Sequence, residues 1–151
     1  MVDSLATPVA ELDSARAGAS PNSESRCLFC CPANPDLNRI AGSWGTVYAR
    51  WDNFPASPGH LEIVPFRHML SFFDLTDQEA SDLHWLARAM QGHLEQRFRP
   101  EGYTIGINDG PASGRSVDHL HLHIIPRYHG DIADPRGGIR RIFPGDPDTW
   151  R

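Results

Sequence analysis

Apolar and polar positions alternate with a period of two through Gly45-Thr46-Val47-Tyr48-Ala49-Arg50-Trp51, the pattern of a strand with one buried face. A run of turn formers from Asn53 to Gly59 follows, and His60-Leu61-Glu62-Ile63-Val64 then reads as a second strand closed by Pro65. Thr76-Asp77-Gln78-Glu79 has the form of a capping box, in which a hydroxyl and a carboxylate three residues on each satisfy a free backbone N–H. A helix is predicted from there: Leu83, Leu86, Ala87, Met90, Leu94 and Phe98 recur every three or four residues as one stripe, and Pro100 with Gly102 ends it. Tyr103, Ile105 and Ile107 alternate with Thr104 and Gly106 as a half-buried strand, and a loop from Asn108 to Gly114 leads to a last strand over Val117 to Ile125. Residues after Pro126 form a Gly/Pro-rich tail ending in Trp150. Residues 1–25, rich in Ala, Ser, Asp and Pro, are expected to be a mobile tail, leaving 26–151 as the folded domain.

Composition narrows the class. A chain of 151 residues is one domain's worth, and 40% hydrophobic with 22% charged residues and no long apolar run excludes a membrane span. With 14 Lys+Arg against 19 Asp+Glu, the net charge of -5 lacks the basic excess that nucleic-acid binding requires. The 3 cysteines crowd into Cys27, Cys30 and Cys31, a clustering that fits a metal clip or redox pair better than a disulfide scaffold. The N-terminus carries Asp3, Glu11 and Asp13 before any sustained apolar stretch, so it does not read as a secretory signal, and a reducing cytoplasm is the expected location.

The segment His119-Leu120-His121-Leu122-His123-Ile124-Ile125-Pro126-Arg127 carries the most chemistry. In an extended strand the histidines share one face, spaced by roughly 6–7 Å, with Leu120, Leu122 and Ile124 on the other. Imidazole serves as metal ligand, general base or nucleophile. The loop just before it holds Gly110, Ser113, Gly114, Arg115 and Ser116, a set of N–H, hydroxyl and guanidinium donors suited to phosphate oxygens. A nucleophile beside a phosphate cradle points to phosphoryl or nucleotidyl transfer. A three-histidine catalytic metal site is disfavoured, because alternate side chains on one straight strand fan apart.

The stretch from Asn108-Asp109-Gly110 through Arg127 resembles the signature of the histidine triad (HIT) superfamily, and Pro58-Gly59-His60-Leu61-Glu62-Ile63-Val64-Pro65 to His68 resembles its upstream hallmark. The resemblance implies an α+β fold, an antiparallel sheet with one long helix packed on it, usually a homodimer. It further implies a nucleotide hydrolase or transferase that cleaves at the α-phosphate of adenine nucleotides, diadenosine polyphosphates or nucleoside phosphoramidates, through a nucleotidyl-histidine intermediate. By position His121 matches the nucleophile, His123 the contact to the attacked phosphate, Ser116 the hydroxyl near the leaving oxygen and His60 the upstream active-site histidine. Asp52 falls where the ribose is bound and Asn108 where an amide lines the nucleotide site, with Gly114 and Arg115 framing the phosphates. Cys27-Leu28-Phe29-Cys30 has the spacing of a zinc knuckle, and the resemblance implies a structural zinc held by Cys27, Cys30, His68 and His119, with Cys31 a bystander. Two positions depart from the family pattern: Arg115, where Gln is frequent, and Phe66, where Lys is common. Within the same chemistry a phosphorylase is the alternative, with phosphate in place of water as acceptor; from another class, a nucleotide-binding regulatory protein without turnover.

Overall fold

The structure is a computed structural model that describes residues 27–142; the expected tail over 1–25 and the terminal Trp150 lie outside the described residues. Five strands, β1 (Arg39–Trp44), β2 (Val47–Trp51), β3 (Leu61–Pro65), β4 (Gly102–Gly106) and β5 (Leu122–Arg127), form one sheet in the order β1-β2-β3-β5-β4, with the helix α1 (Asp77–Phe98) between β3 and β4 in sequence. Every neighbouring pair is antiparallel. The expected fold, one long helix on an antiparallel sheet, is what the chain adopts.

Alternation sorts the sheet into two faces. Val47 and Ala49 of β2, Leu61 and Ile63 of β3, and Leu122 and Ile124 of β5 bury against Leu83, Leu86, Met90 and Leu94 of α1. Each of the larger side chains contributes about 1.5–3 kcal/mol by leaving water, which makes this layer the main source of stability. The residues between them, Tyr48, Arg50, Glu62 and Val64, belong to the opposite face, where Phe29 joins Tyr48 and Val64 in a second small core. The functional histidines lie on this second face.

Helix α1 begins as its sequence specifies: Thr76 Oγ1 accepts from Glu79 N at 3.2 Å, and Glu79 Oε2 accepts from Thr76 N at 2.9 Å. It ends at Arg99, whose φ of 52° is left-handed, ahead of Pro100. The β1–β2 turn is hooked onto this helix by Asp82, whose Oδ2 accepts from both N and Oγ1 of Thr46 at 2.9 Å. Gly45 is required there on two counts: its φ is +52°, and a Cβ would stand 2.3 Å from that carboxylate oxygen.

One strand is added to those expected, and one expectation is corrected. Strand β1, Arg39-Ile40-Ala41-Gly42-Ser43-Trp44, has no regular alternation to announce it, and it pairs with β2 through a bulge between Ile40 and Gly42. The last strand runs Leu122–Arg127, not Val117–Ile125. Residues 117–121 are drawn off the ladder: His119 N donates to Val117 O at 2.8 Å and Leu120 N to Met69 O at 2.7 Å. At the other end the ladder continues past Pro126, as Arg127 O accepts from Glu101 N at 2.9 Å. Among the described residues no helix is long and apolar enough to cross a membrane.

Candidate active site and candidate metal centre

The three histidines do not stand in one row. Because the chain turns before β5, His119 faces a cluster of cysteines while His121 and His123 remain neighbours, ring centroids 4.8 Å apart and nearly perpendicular. Fixed backbone groups dictate the tautomer of each ring. A carbonyl only accepts, so the His119 C=O, 2.8 Å from His121 Nδ1, accepts a hydrogen bond from Nδ1–H, which fixes the ring proton there and leaves Nε2 of His121 as a lone pair. An amide N–H only donates, so Ala56 N, 3.1 Å from His60 Nδ1, requires a lone pair there and puts the His60 proton on Nε2. That proton points to His123 Nδ1 at 3.0 Å, so His123 carries its own proton on Nε2.

Burial keeps these rings neutral. It is the main cause of the lowered pKa of His121 and of His60, and it brings His123 down to about 4 with help from the neighbouring rings of His121 and His60. A neutral imidazole with one directed lone pair is a nucleophile at neutral pH. Asp52, at the end of β2, places Oδ2 3.5 Å from His60 Nε2 and 3.9 Å from His123 Nδ1. Beside Asp52 and His60 a cleft of about 510 Å³ opens, bordered by Trp51, Pro55, Pro58 and Arg97.

Asn108, Gly114 and Ser116 are exposed on the loop that enters the site. Gly110 and Gly114 have φ of 88° and 89°, a backbone that other residues rarely adopt. Asp109 ties this loop to the segment before α1, accepting from Ser71 Oγ at 2.9 Å and Phe72 N at 2.8 Å. Arg115 is spent on the same join. Its Nη1 donates to Leu70 O at 3.0 Å, and Nε and Nη2 reach Asp118 at 3.1 and 2.9 Å. The guanidinium thus ties the loop to the Leu70 segment, and its charge still contributes to keeping His121 unprotonated.

Sequence reasoning passed over Arg50 and Glu62. They are cross-strand partners on β2 and β3, form an ion pair and are almost fully buried on the histidine face. The signal was the alternation itself, since His60 and Glu62 are two apart on one strand; what the sequence lacks is the strand pairing that sets Arg50 opposite.

Cys27, Cys30, His68 and His119 converge with one ligand atom each within 4.8 Å of one another. Cys30 Sγ lies 3.3 Å from His68 Nδ1 and 3.5 Å from His119 Nδ1, and Cys27 Sγ 3.5 Å from His119 Nδ1. A tetrahedral ion with bonds of about 2.0–2.3 Å needs ligand edges of roughly 3.3–3.8 Å, the range in which these three distances fall, and two thiols with two imidazoles are the donors such an ion takes. Pro65 O, 2.9 Å from His119 Nε2, accepts the ring proton and frees Nδ1 to ligate. Cys31 lies outside the group. Phe29 bridges the two centres: its ring meets those of His119 and His121 edge-on at 5.9 and 5.0 Å, and its C=O accepts from Tyr48 OH at 2.7 Å.

Comparison with known proteins agrees with this geometry. The family model described as HIT domain matches residues 38–130. The chain is 38% identical over 86 residues to the AP-4-A phosphorylase of Mycobacterium tuberculosis, covering 56% of this chain and 44% of that protein. It is 39% identical over 80 residues to the asymmetrical bis(5'-nucleosyl)-tetraphosphatase of Schizosaccharomyces pombe, covering 53% and 44%. Each match therefore spans less than half of the relative's length. A member of the HIT family of proteins from Bacillus subtilis superposes with a TM-score of 0.67 at 26% identity, covering 83% of this chain and 86% of that one. On the evidence of its histidine face, its fold and the domain matched across both, the chain belongs to the HIT domain family.

Proposed function

We propose that the chain is a nucleotidyl hydrolase or transferase that cleaves adenine nucleotides at the α-phosphate, with His121 as the covalent nucleophile. The observation that carries this reading is the bond from His121 Nδ1 to the His119 carbonyl, which leaves Nε2 as a neutral, directed lone pair. Nε2 of His121 attacks phosphorus in line with the departing group and forms the nucleotidyl-imidazole, and water then releases the nucleoside monophosphate. His123 Nε2–H, Ser116 and the N–H groups of the loop from Asn108 to Gly114 stabilise the charge on the phosphate oxygens. Asp52 is assigned to the ribose hydroxyls and Asn108 to the nucleotide. Arg115 supports the phosphate loop from behind, in place of the direct contact its sequence position implies. A buried nucleophile with a fixed tautomer argues against a protein that only binds nucleotides, because binding needs no such group.

Similarity to a mycobacterial AP-4-A phosphorylase supports a second acceptor, inorganic phosphate. Incubation with diadenosine tetraphosphate and with adenosine 5'-phosphoramidate, with and without phosphate, tests both readings. AMP in either buffer marks hydrolysis, ADP that appears only with phosphate marks phosphorolysis, and no turnover of either substrate refutes the proposal.

Cys27, Cys30, His68 and His119 are the residues that would hold a structural zinc, which when bound crosslinks the N-terminal turn to the segment ahead of β5. Thiolate ligands of this kind persist in a reducing compartment, consistent with a cytoplasmic protein. A homodimer is part of the same proposal, with the outer strand β4 and its exposed Ile105 as the available edge.

A further inference from the structure

The sheet places a row of three residues across its histidine face. Arg50, Glu62 and His123 are successive cross-strand partners on β2, β3 and β5. Glu62 is 4% exposed and Arg50 2%, and Glu62 Oε1 lies 3.8 Å from His123 Nδ1. Arg50 binds the other carboxylate oxygen and also donates from Nη2 to Leu37 O at 3.1 Å. The groups facing Glu62 are thus Arg50 from β2, Asp52 beyond the end of β2, and His121 and His123 from the β5 segment, with His60 behind His123. Burial raises the Glu62 carboxyl to about 7, with Arg50 opposing and Asp52 adding to the rise. Near neutrality this group holds a proton for an appreciable part of the time.

The histidines need such a store. His123 presents its proton on Nε2 and a lone pair on Nδ1, so giving Nε2–H to a departing group requires that Nδ1 receive another. His60 cannot supply it, because Nδ1 of that ring already accepts from Ala56 N and loss of Nε2–H would leave an imidazolate. Glu62 is the buried carboxyl across the strand from it.

We propose that Glu62 is the proton store of this site, acting through His123. As the bond from phosphorus to the leaving atom breaks, His123 Nε2–H passes to that atom and the Glu62 carboxyl proton passes to His123 Nδ1, leaving a carboxylate paired with Arg50. When water attacks the nucleotidyl-His121, its proton goes to His123 Nε2 and the Nδ1 proton returns to Glu62, which restores the starting state with all protons accounted for. The 3.8 Å gap closes by a small turn of the His123 ring, while His60 keeps its Nε2 proton and redirects that N–H from His123 to Asp52 Oδ2, 3.5 Å away. The inference rests on the nucleotidyl-histidine reading and ranks the substrates within it by what their leaving groups need. Leaving groups that depart as amines or alcohols need the proton, whereas a polyphosphate departs as a stable anion. Glu62 therefore suits the site to nucleoside phosphoramidates and related poor leaving groups.

The test compares Glu62→Gln with the unsubstituted protein on adenosine 5'-phosphoramidate and diadenosine tetraphosphate across pH 5–9. The expected result is a loss of about 100-fold in kcat on the phosphoramidate, a typical worth of a positioned acid, and a loss under about 10-fold on the tetraphosphate. The decline in kcat/KM for the phosphoramidate as pH rises through the Glu62 range should vanish in the variant. Arg50→Met with Glu62→Leu removes the whole buried ion pair without stranding a charge. Once its thermal unfolding shows a folded protein, it should lose the same limb of the profile. Equal losses on both substrates, or an alkaline decline that survives in either variant, would overturn the proposal. Acid-labile adduct trapping with the tetraphosphate separates the two readings: an adduct in Glu62→Gln with the substrate split supports both, and an adduct without the split overturns the role of Glu62 alone. Absence of an adduct from the unsubstituted protein overturns both.

Discussion

Replacing Glu79 by Ala should cost about 2 kcal/mol of stability and loosen the candidate metal centre, although Glu79 touches none of its residues. Its Oε1 accepts from Arg67 Nε at 2.8 Å, and its Oε2 accepts from Arg67 Nη2 at 2.8 Å, Thr76 N at 2.9 Å and Thr76 Oγ1 at 3.0 Å. The capping contacts account for about 1 kcal/mol. Arg67 is half exposed, so the bidentate pair is discounted to a further ~1 kcal/mol. Arg67→Ala alone should then cost about 1 kcal/mol, and a double-mutant cycle should give a coupling of about 0.5–1 kcal/mol. The pH dependence has a definite sign. Arg67 chiefly, and the cap, hold the Glu79 carboxyl down to about 2, against an ordinary value of 4.5 in the unfolded chain. Its contribution is therefore complete above 4.5 and fades as pH falls from there toward 2. Arg67 immediately precedes His68 and also donates to Asp74 O at 2.9 Å, so the strut holds the segment that carries this ligand. Urea unfolding at pH 7 and pH 3, with zinc retention against a chelator, measures all of this. A loss below about 0.5 kcal/mol at pH 7, or a difference that stays constant down to pH 3, would refute the reasoning.

Metal analysis of protein grown with zinc should give one ion per chain, and Cys30→Ser should lose it together with several degrees of Tm; bound zinc that survives the loss of both Cys27 and Cys30 would contradict the assignment. Arg115→Gln should raise KM by a similar factor for substrates of short and long phosphate chains, because the guanidinium is committed to Leu70 and Asp118; an effect that grows with chain length would show direct phosphate contact instead.

Local chemistry was readable from the chain, and long-range pairing was not. The capping box at Thr76 and Glu79 and the stripe from Leu83 to Phe98 are short-range signals, and α1 follows them to within a residue. Convergence of Cys27, Cys30, His68 and His119 matches the set implied by the family resemblance. Strand β1 escaped because Ala41, Gly42 and Ser43 offer little bulk to alternate and a bulge interrupts them. The histidine run reads as one straight strand, whereas the bond from Leu120 N to Met69 O, a partner far off in sequence, turns His119 away from the other two. Glu62 would pass for a solvent-facing strand residue until the pairing of β2 with β3 sets Arg50 opposite it and buries both.

The central claim is that His121 becomes covalently linked to the nucleotide. Rapid acid-free quench of the protein with α-labelled diadenosine tetraphosphate, followed by peptide mapping, tests it most directly. The account predicts an acid-labile, base-stable adenylyl group on His121 that forms no slower than turnover. His121→Asn should bind nucleotide almost normally and lose activity by several orders of magnitude, about 10³-fold or more. Label on any other residue, full activity in His121→Asn, or inversion of configuration at a chiral α-phosphorus would contradict the account and leave direct attack by water in its place.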